Sequence, residues 1–128
     1  SSGAADSAKA PAFAGPGSLV IRHTNSDYTI DTLPTGPNGV GQAGAQGNAR
    51  DLEGLARLND PAALDTCLAA VVAAHPGTVE IVEYARFEGS PALIVLVADA
   101  AGTRTVVAGP DCGLPGRGDD EVYVTPAR

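Results

Sequence analysis

The chain has 128 residues, 15 of them acidic and 8 basic, and a formal net charge of −7, which suits one domain with a single core. Binding to a phosphate backbone requires a basic stripe, and stacking of bases requires more than the five aromatic side chains present. These values exclude nucleic acid as a partner of this segment. Hydrophobic residues make up 44% and charged residues 18%, as in ordinary globular domains.

The chain opens with a segment that has no hydrophobic periodicity. Residues 1–17 are rich in Ser, Ala, Gly and Pro and are predicted to be a flexible linker or an expression remnant. A single domain is predicted over residues 18–128. Inside it, residues 34–47 hold five Gly and two Pro, which predicts a flexible loop.

Two elements are predicted in the first half of the domain. Ser18–Thr24 is a short run rich in β-branched residues and is predicted to be the first strand. Asn25–Asp27 is expected to form the turn after it, because Asn, Ser and Asp side chains bond nearby backbone groups. Ala49–Leu58 is predicted to be a helix, since its leucines recur every three residues.

Stronger signals predict a second helix over Pro61–Ala74. Asp60 is a residue type that caps helices, and proline favours the first helical position. The sequence His75-Pro76-Gly77 ends the helix. Its apolar side chains are three or four residues apart and therefore share one face: Leu64, Cys67, Leu68, Val71 and Val72.

After residue 77 the hydrophobic period changes to two. The predicted strands are Thr78–Phe87, Ala92–Ala98, Thr103–Ala108 and Glu121–Thr125. Tight turns between the first three predict an antiparallel meander. Ala92–Ala98 is apolar at every position, so both of its faces are expected to be covered. The predicted fold is α+β, with an antiparallel sheet of about four to five strands in a meander, one or two helices on one face, and one disulfide.

The two cysteines are predicted to form that disulfide. Cys67 lies on the apolar face of the second helix, and Cys112 follows a strand end, so the bond would join helix to sheet. An even cysteine count in an acidic, lysine-poor chain favours an oxidising compartment. Closing a loop of this length would stabilise the fold by about 4 kcal/mol. Two unrelated buried thiols are the alternative.

The remaining reactive groups form no recognisable catalytic or metal motif. His23 lies in a predicted strand, and His75 ends a helix where it suits the helix dipole. Four zinc ligands cannot be assembled without the two cysteines. Residues 119–121 lack the spacing of a calcium loop and are expected to be a solvated acidic turn. The sequence therefore predicts no catalytic residue, no cofactor and no metal, and the protein is not expected to be an enzyme.

Membrane contact is expected only through a segment outside this sequence. The longest apolar runs are less than half of the ~20 residues that span a bilayer. No basic region followed by an apolar stretch opens the chain, so a secretion signal is not predicted either.

Four short segments follow one another in a distinctive order. They are Ser26-Asp27-Tyr28-Thr29, Leu64-Asp65-Thr66-Cys67-Leu68, Phe87-Glu88-Gly89-Ser90-Pro91-Ala92, and Val106-Val107-Ala108-Gly109-Pro110-Asp111-Cys112. This order, over about residues 18–126, resembles the extracytoplasmic C-terminal domain of actinobacterial anti-sigma-factor-like membrane proteins. The family pattern also includes a cytoplasmic sigma-binding domain and one membrane helix, neither of which is found in this sequence, and residues 34–47 look like an insertion.

The resemblance implies a non-catalytic extracytoplasmic sensor or interaction domain, anchored to the membrane in the full-length regulator. Its expected partner is an envelope ligand or protein that the sequence does not identify. The alternative is a free secreted protein or lipoprotein with a binding or structural role. Contact is expected at the loop 34–47 and at the turns 88–90 and 113–120.

Overall fold

The computed structural model describes residues 19–36 and 49–125. Within these residues, five strands form one sheet in the order β1-β2-β3-β4-β5. Their bounds are Val20–Tyr28, Thr78–Phe87, Ser90–Asp99, Gly102–Ala108 and Glu121–Val124. A 3-10 helix, Ala49–Asn59, and the α-helix α1, Pro61–Ala74, lie between β1 and β2. The fold is therefore α+β, while the linker predicted at 1–17 and most of the loop predicted at 34–47 fall outside the described residues.

The meander holds for β2 to β5 but not for β1. Strands β2, β3, β4 and β5 are antiparallel to their neighbours. Strand β1, however, runs parallel to β2, with Val20 opposite Ile81 and His23 opposite Tyr84. The prediction of a wholly antiparallel sheet is wrong for this strand. The connection from β1 to β2 carries both helices, and such a long crossover lets the chain enter the next strand in the same direction.

The turn predicted at Asn25–Asp27 is also wrong, because β1 continues through it to Tyr28. The strand register shifts between His23 and Asp27, so a β-bulge accommodates the polar residues. Tyr28 pairs with Phe87 and its side chain is fully buried. Burial of this large side chain thus extends the strand past residues whose local preference is a turn, and the chain turns instead at residues 29–33.

Helix α1 has the predicted bounds and ends. The carboxylate of Asp60 accepts a hydrogen bond from the backbone N–H of Ala63 at 3.1 Å, and proline occupies the first helical position. His75 follows as the C-terminal cap. The segment before α1 is a 3-10 helix, and leucines at every third residue match its period of three; Leu55 and Leu58 are buried.

Strand β3 lies between two hydrophobic clusters, one on each face of the sheet. Both faces are therefore covered, as predicted, and Leu93, Val95 and Val97 face the cluster that contains the buried side of α1. Ile94 and Leu96 belong to the cluster on the opposite face. The helix side chains in the first cluster are Leu64, Cys67, Leu68 and Val71, with Val72 packed at its border.

Cys67 and Cys112 are joined by a disulfide and are both fully buried. The bond connects the middle of α1 to the loop that follows β4. Arg57 in the 3-10 helix holds the same loop, because its guanidinium donates to the carbonyl oxygens of Pro110 (2.9 Å) and Cys112 (2.7 Å). Gly113 approaches the helix so closely that an added Cβ would lie 2.8 Å from the Cys67 nitrogen. The loop is thus fixed against α1 at several points.

We expect the native chain to contain no free thiol. Alkylation without reductant should leave the intact mass unchanged, and alkylation after reduction should add two groups. The Cys67→Ala/Cys112→Ala double variant should lose about 4 kcal/mol of unfolding free energy, because a closed loop limits the entropy of the unfolded chain. Two alkyl groups on the unreduced native protein would contradict the bond.

Truncation of Leu96 to Ala should lower the unfolding free energy by about 2–5 kcal/mol. The side chain is completely buried in the centre of the sheet, and its removal leaves a cavity. Urea denaturation measures the loss. The matched control is Ile30→Ala, whose side chain is 52% exposed and whose effect should stay within about 0.5 kcal/mol. Equal losses in the two variants would contradict the position of β3 at the centre of the core.

Candidate functional site

A partly apolar groove lies between β1 and the beginning of α1. Its volume is about 260 Å³. Residues from both elements and from β2 line it, among them Leu19, Ile21, His23, Pro61, Leu64 and Tyr84. Ile21 is 47% exposed, so the groove opens to solvent over an apolar side chain.

Two stacked rings form one wall of the groove. His23 and Tyr84 are register partners on the parallel strands β1 and β2, and their ring centroids are 4.3 Å apart with planes 4° from parallel. The Tyr84 hydroxyl donates to the carbonyl oxygen of Leu58 at 2.5 Å, and His23 Nε2 lies 3.3 Å from Asn59 Oδ1. Burial raises the pKa of Tyr84, so the phenol stays neutral. Both rings are held by contacts at their edges, which preorganises this wall.

The charged side chains at the groove are acidic. Asp65 lines it and Asp60 lies next to the lining residues Asn59 and Pro61. Among the described residues that line the groove, none is Lys or Arg. The groove therefore suits an apolar group that has a positive charge beside it.

On the other face of the sheet, the side chain of Glu83 is fully buried. Both of its carboxylate oxygens accept from the hydroxyl of Tyr28, at 2.8 and 2.9 Å, and the hydroxyl of Thr24 also donates to it. Burial raises the pKa of Glu83, while the two hydroxyl donors and the positive charge of Arg22 act in the opposite direction. The site is closed to solvent, so these contacts tie β1 to β2 rather than hold a ligand.

His75 contacts the acidic turn that precedes β5. Its Nε2 atom lies 2.7 Å from Glu121 Oε1 and 3.9 Å from Asp119 Oδ2. The expectation of a solvated turn is wrong for Asp119 and Asp120, whose side chains are only 13% and 20% exposed. Asp120 accepts from the backbone N–H of Asp111 at 3.0 Å, so a backbone contact draws the turn inward.

The contacts of the two histidines limit the chemistry of these groups. In the part of the chain that the structure describes, the rings contact an amide oxygen, a tyrosine ring and carboxylates. Activation of a nucleophile would require an imidazole beside a hydroxyl or thiol. The two cysteines are joined in the disulfide and carry no free thiol.

The family described as anti-sigma factor RsmA, C-terminal extracellular domain, matches residues 19–126. The chain belongs to this family. Membership places the domain outside the cytoplasm and agrees with the resemblance seen in the sequence. No curated protein and no solved structure matches the chain. Across the described ranges, no helix is both long and apolar enough to cross a membrane.

The regions of expected contact in this RsmA-type extracellular domain are only partly described. Residues 88–90 are exposed; residues 88 and 89 form the turn between β2 and β3, and Ser90 begins β3. The segment 113–120 ranges from half-buried to exposed. Of the predicted loop 34–47, only residues 34–36 are described, and Pro34 is buried there. None of the described residues that line the groove beside β1 belongs to these three regions, and the groove was not predicted.

Strand periodicity by itself does not locate the buried Glu83. Glu80 and Glu83 lie three residues apart in β2, so a strict period of two would place them on opposite faces. The register shifts between Val79 and Ile81, however, and breaks this period at Glu80. The contact between His23 and Tyr84 left no sequence signal either, because it depends on the parallel register of β1 and β2.

Replacement of Glu83 by Gln should make stability less dependent on pH. The folded state raises the pKa of Glu83 above its ordinary value of 4.5. Its contribution to stability is therefore complete below pH 4.5 and is lost as the pH rises through the folded-state pKa. The unfolding free energy of Glu83→Gln relative to wild type should increase from pH 4.5 towards neutrality, by about 1.4 kcal/mol per unit of pKa shift.

Chemical denaturation across this pH range measures the difference. Glu80→Gln is the control, because it makes the same change at a half-buried position of the same strand. The change with pH should be larger for Glu83→Gln than for Glu80→Gln, because Glu83 is the fully buried carboxylate. Parallel pH profiles for Glu83→Gln and wild type would show that the burial of Glu83 does not oppose its ionisation.

Proposed function

We propose that this domain is the non-catalytic sensing part of a membrane-anchored anti-sigma regulator and that it acts by binding a protein partner outside the cytoplasm. Family membership supports its place in such a regulator. The groove between β1 and α1 is the observation that carries the binding role, because it combines a preorganised aromatic wall, an exposed Ile21 and an acidic border.

The size of the groove favours a protein partner over a free metabolite. Pockets for drug-sized ligands measure about 300–1,000 Å³, whereas this groove measures about 260 Å³ and opens to solvent. An apolar side chain from a polypeptide fits such a volume. The acidic Asp65 at the groove favours a lysine or arginine beside that side chain, since opposite charges set the orientation of a complex.

Binding can transmit a signal only through a difference in affinity. A partner that binds one state of the regulator more tightly shifts the equilibrium towards that state. Because the two ends are linked, the conformational equilibrium at the sigma-binding end of the regulator shifts by the same free energy. The domain itself needs no turnover for this role, which agrees with its sealed cysteines and with histidines that contact no described hydroxyl or thiol.

The full-length regulator carrying Ile21→Asp should show altered transcription from a sigma-dependent reporter in cells. A charged side chain in the groove removes the apolar contact. The loss of a central anchor costs about 2 kcal/mol or more, which is roughly 30-fold in affinity. The matched control is Val122→Asp. Val122 is 55% exposed and lies on β5, at the opposite edge of the described sheet.

Both variants should accumulate like wild type, and the purified domains should unfold at the wild-type temperature. Reporter output should change for Ile21→Asp and stay at the wild-type level for Val122→Asp. Identical output from the two variants would contradict the groove as the binding surface. Hydrolysis of a generic ester or phosphate by the purified domain, abolished in His23→Ala or His75→Ala, would contradict the non-catalytic role.

A further inference from the structure

A second cluster of functional groups lies at the end of α1, away from the groove. His75 is the C-terminal cap of the helix, and its backbone N–H donates to the carbonyl of Val71 at 2.8 Å. The loop after β4 returns to this end of the helix and brings Asp119 and Glu121 beside the imidazole. The residue between them, Asp120, bonds inside the loop instead.

The spacing of these three side chains is that of metal ligands. One ligand atom from each lies within 4.8 Å of the other two, and His75 Nε2 is 2.7 Å from Glu121 Oε1 and 3.9 Å from Asp119 Oδ2. Nitrogen and oxygen ligands bind zinc at about 2.0–2.2 Å, so two ligands of one ion lie about 3–4 Å apart. Small side-chain rotations would bring all three atoms to such distances.

A second observation points independently to a ligand. Asp119 Oδ2 is inaccessible to solvent and has no hydrogen-bond partner among the described residues. A buried carboxylate oxygen without a partner is costly, yet this one points towards the imidazole. The guanidinium of Arg117 pairs with Asp111 and Asp120. A cation between His75 and the two carboxylates would satisfy Asp119.

We propose that His75, Asp119 and Glu121 form a site for a divalent transition metal of the zinc class. An imidazole nitrogen selects Zn²⁺, Cu²⁺ or Ni²⁺ over Ca²⁺ and Mg²⁺, which prefer oxygen ligands alone. Three protein ligands leave a coordination position for water. Glu121 is 36% exposed on its side chain, so the ion enters from solvent. The proposal differs from the sequence-based expectation that the chain binds no metal.

The proposed ion would fasten the loop between β4 and β5 to α1 a second time. The disulfide already fixes the loop at Cys67. His75 lies eight residues after Cys67, a distance of about 12 Å along a helix. The loop would then be held at the middle and at the end of the helix. Because the ligand imidazole must be neutral, metal binding would compete with a proton and weaken in acid.

Calorimetric titration of the chelator-treated chain with zinc chloride at neutral pH tests the site. We expect one ion per chain, with calcium and magnesium chloride binding at least tenfold more weakly. His75→Gln, Asp119→Asn and Glu121→Gln should each weaken zinc binding by at least tenfold. His23→Gln is the matched control, because it changes the other histidine of the chain, and its zinc affinity should equal that of wild type.

The chemical shifts of the histidine rings, measured by nuclear magnetic resonance, distinguish zinc binding at His75 from a general change in structure. Zinc should shift the ring signals of His75 and leave those of His23 in place. Glu121→Gln keeps the proposal testable if Asp119→Asn fails to fold, since Glu121 is the more exposed ligand. Absence of zinc binding, equal affinity in His75→Gln and wild type, or equal loss in His23→Gln would show that the cluster is only an ion pair and overturn the site.

Discussion

The rest of the fold depends on burying both faces of β3. This strand is continuously apolar from Ala92 to Val97, and every one of these side chains is buried. One face is covered by the apolar side of α1. The other face is covered in part by Leu33 and by Pro34, whose carbonyl accepts from the hydroxyl of Thr105. The helix that covers the first face lies in the long crossover between the parallel strands β1 and β2.

Covering the second face has an electrostatic cost at Glu83. The strand β1 contributes Tyr28 to this face, and the same face carries the carboxylate. Hydroxyl donors from Tyr28 and Thr24 compensate only in part, because burial remains the largest effect on the Glu83 pKa. The arrangement still gives β1 a fixed register against β2. That register places His23 on Tyr84 and so builds the wall of the groove.

The disulfide and Arg57 set the position of the proposed metal site. They hold the loop after β4 against α1, and the loop then delivers Asp119 and Glu121 to His75. The groove and the proposed metal site therefore lie at the two ends of the same helix, with Leu64 lining one and His75 in the other. A partner and an ion would each contact α1 without competing for the same side chains.

The sequence by itself determined the bounds of α1 and β2, the alternation of β3 between two cores, and the family. The bounds and the alternation follow from local signals: the Asp60 cap, the proline after it, and hydrophobic periods of 3.6 and 2. The family follows from the resemblance carried by four short segments in order. Only the tertiary structure decided the direction of β1, its extension to Tyr28, and the neighbours of the two histidines. Each of these depends on contacts between segments far apart in the chain, and local residue patterns carry no information about which distant segment will supply the burial.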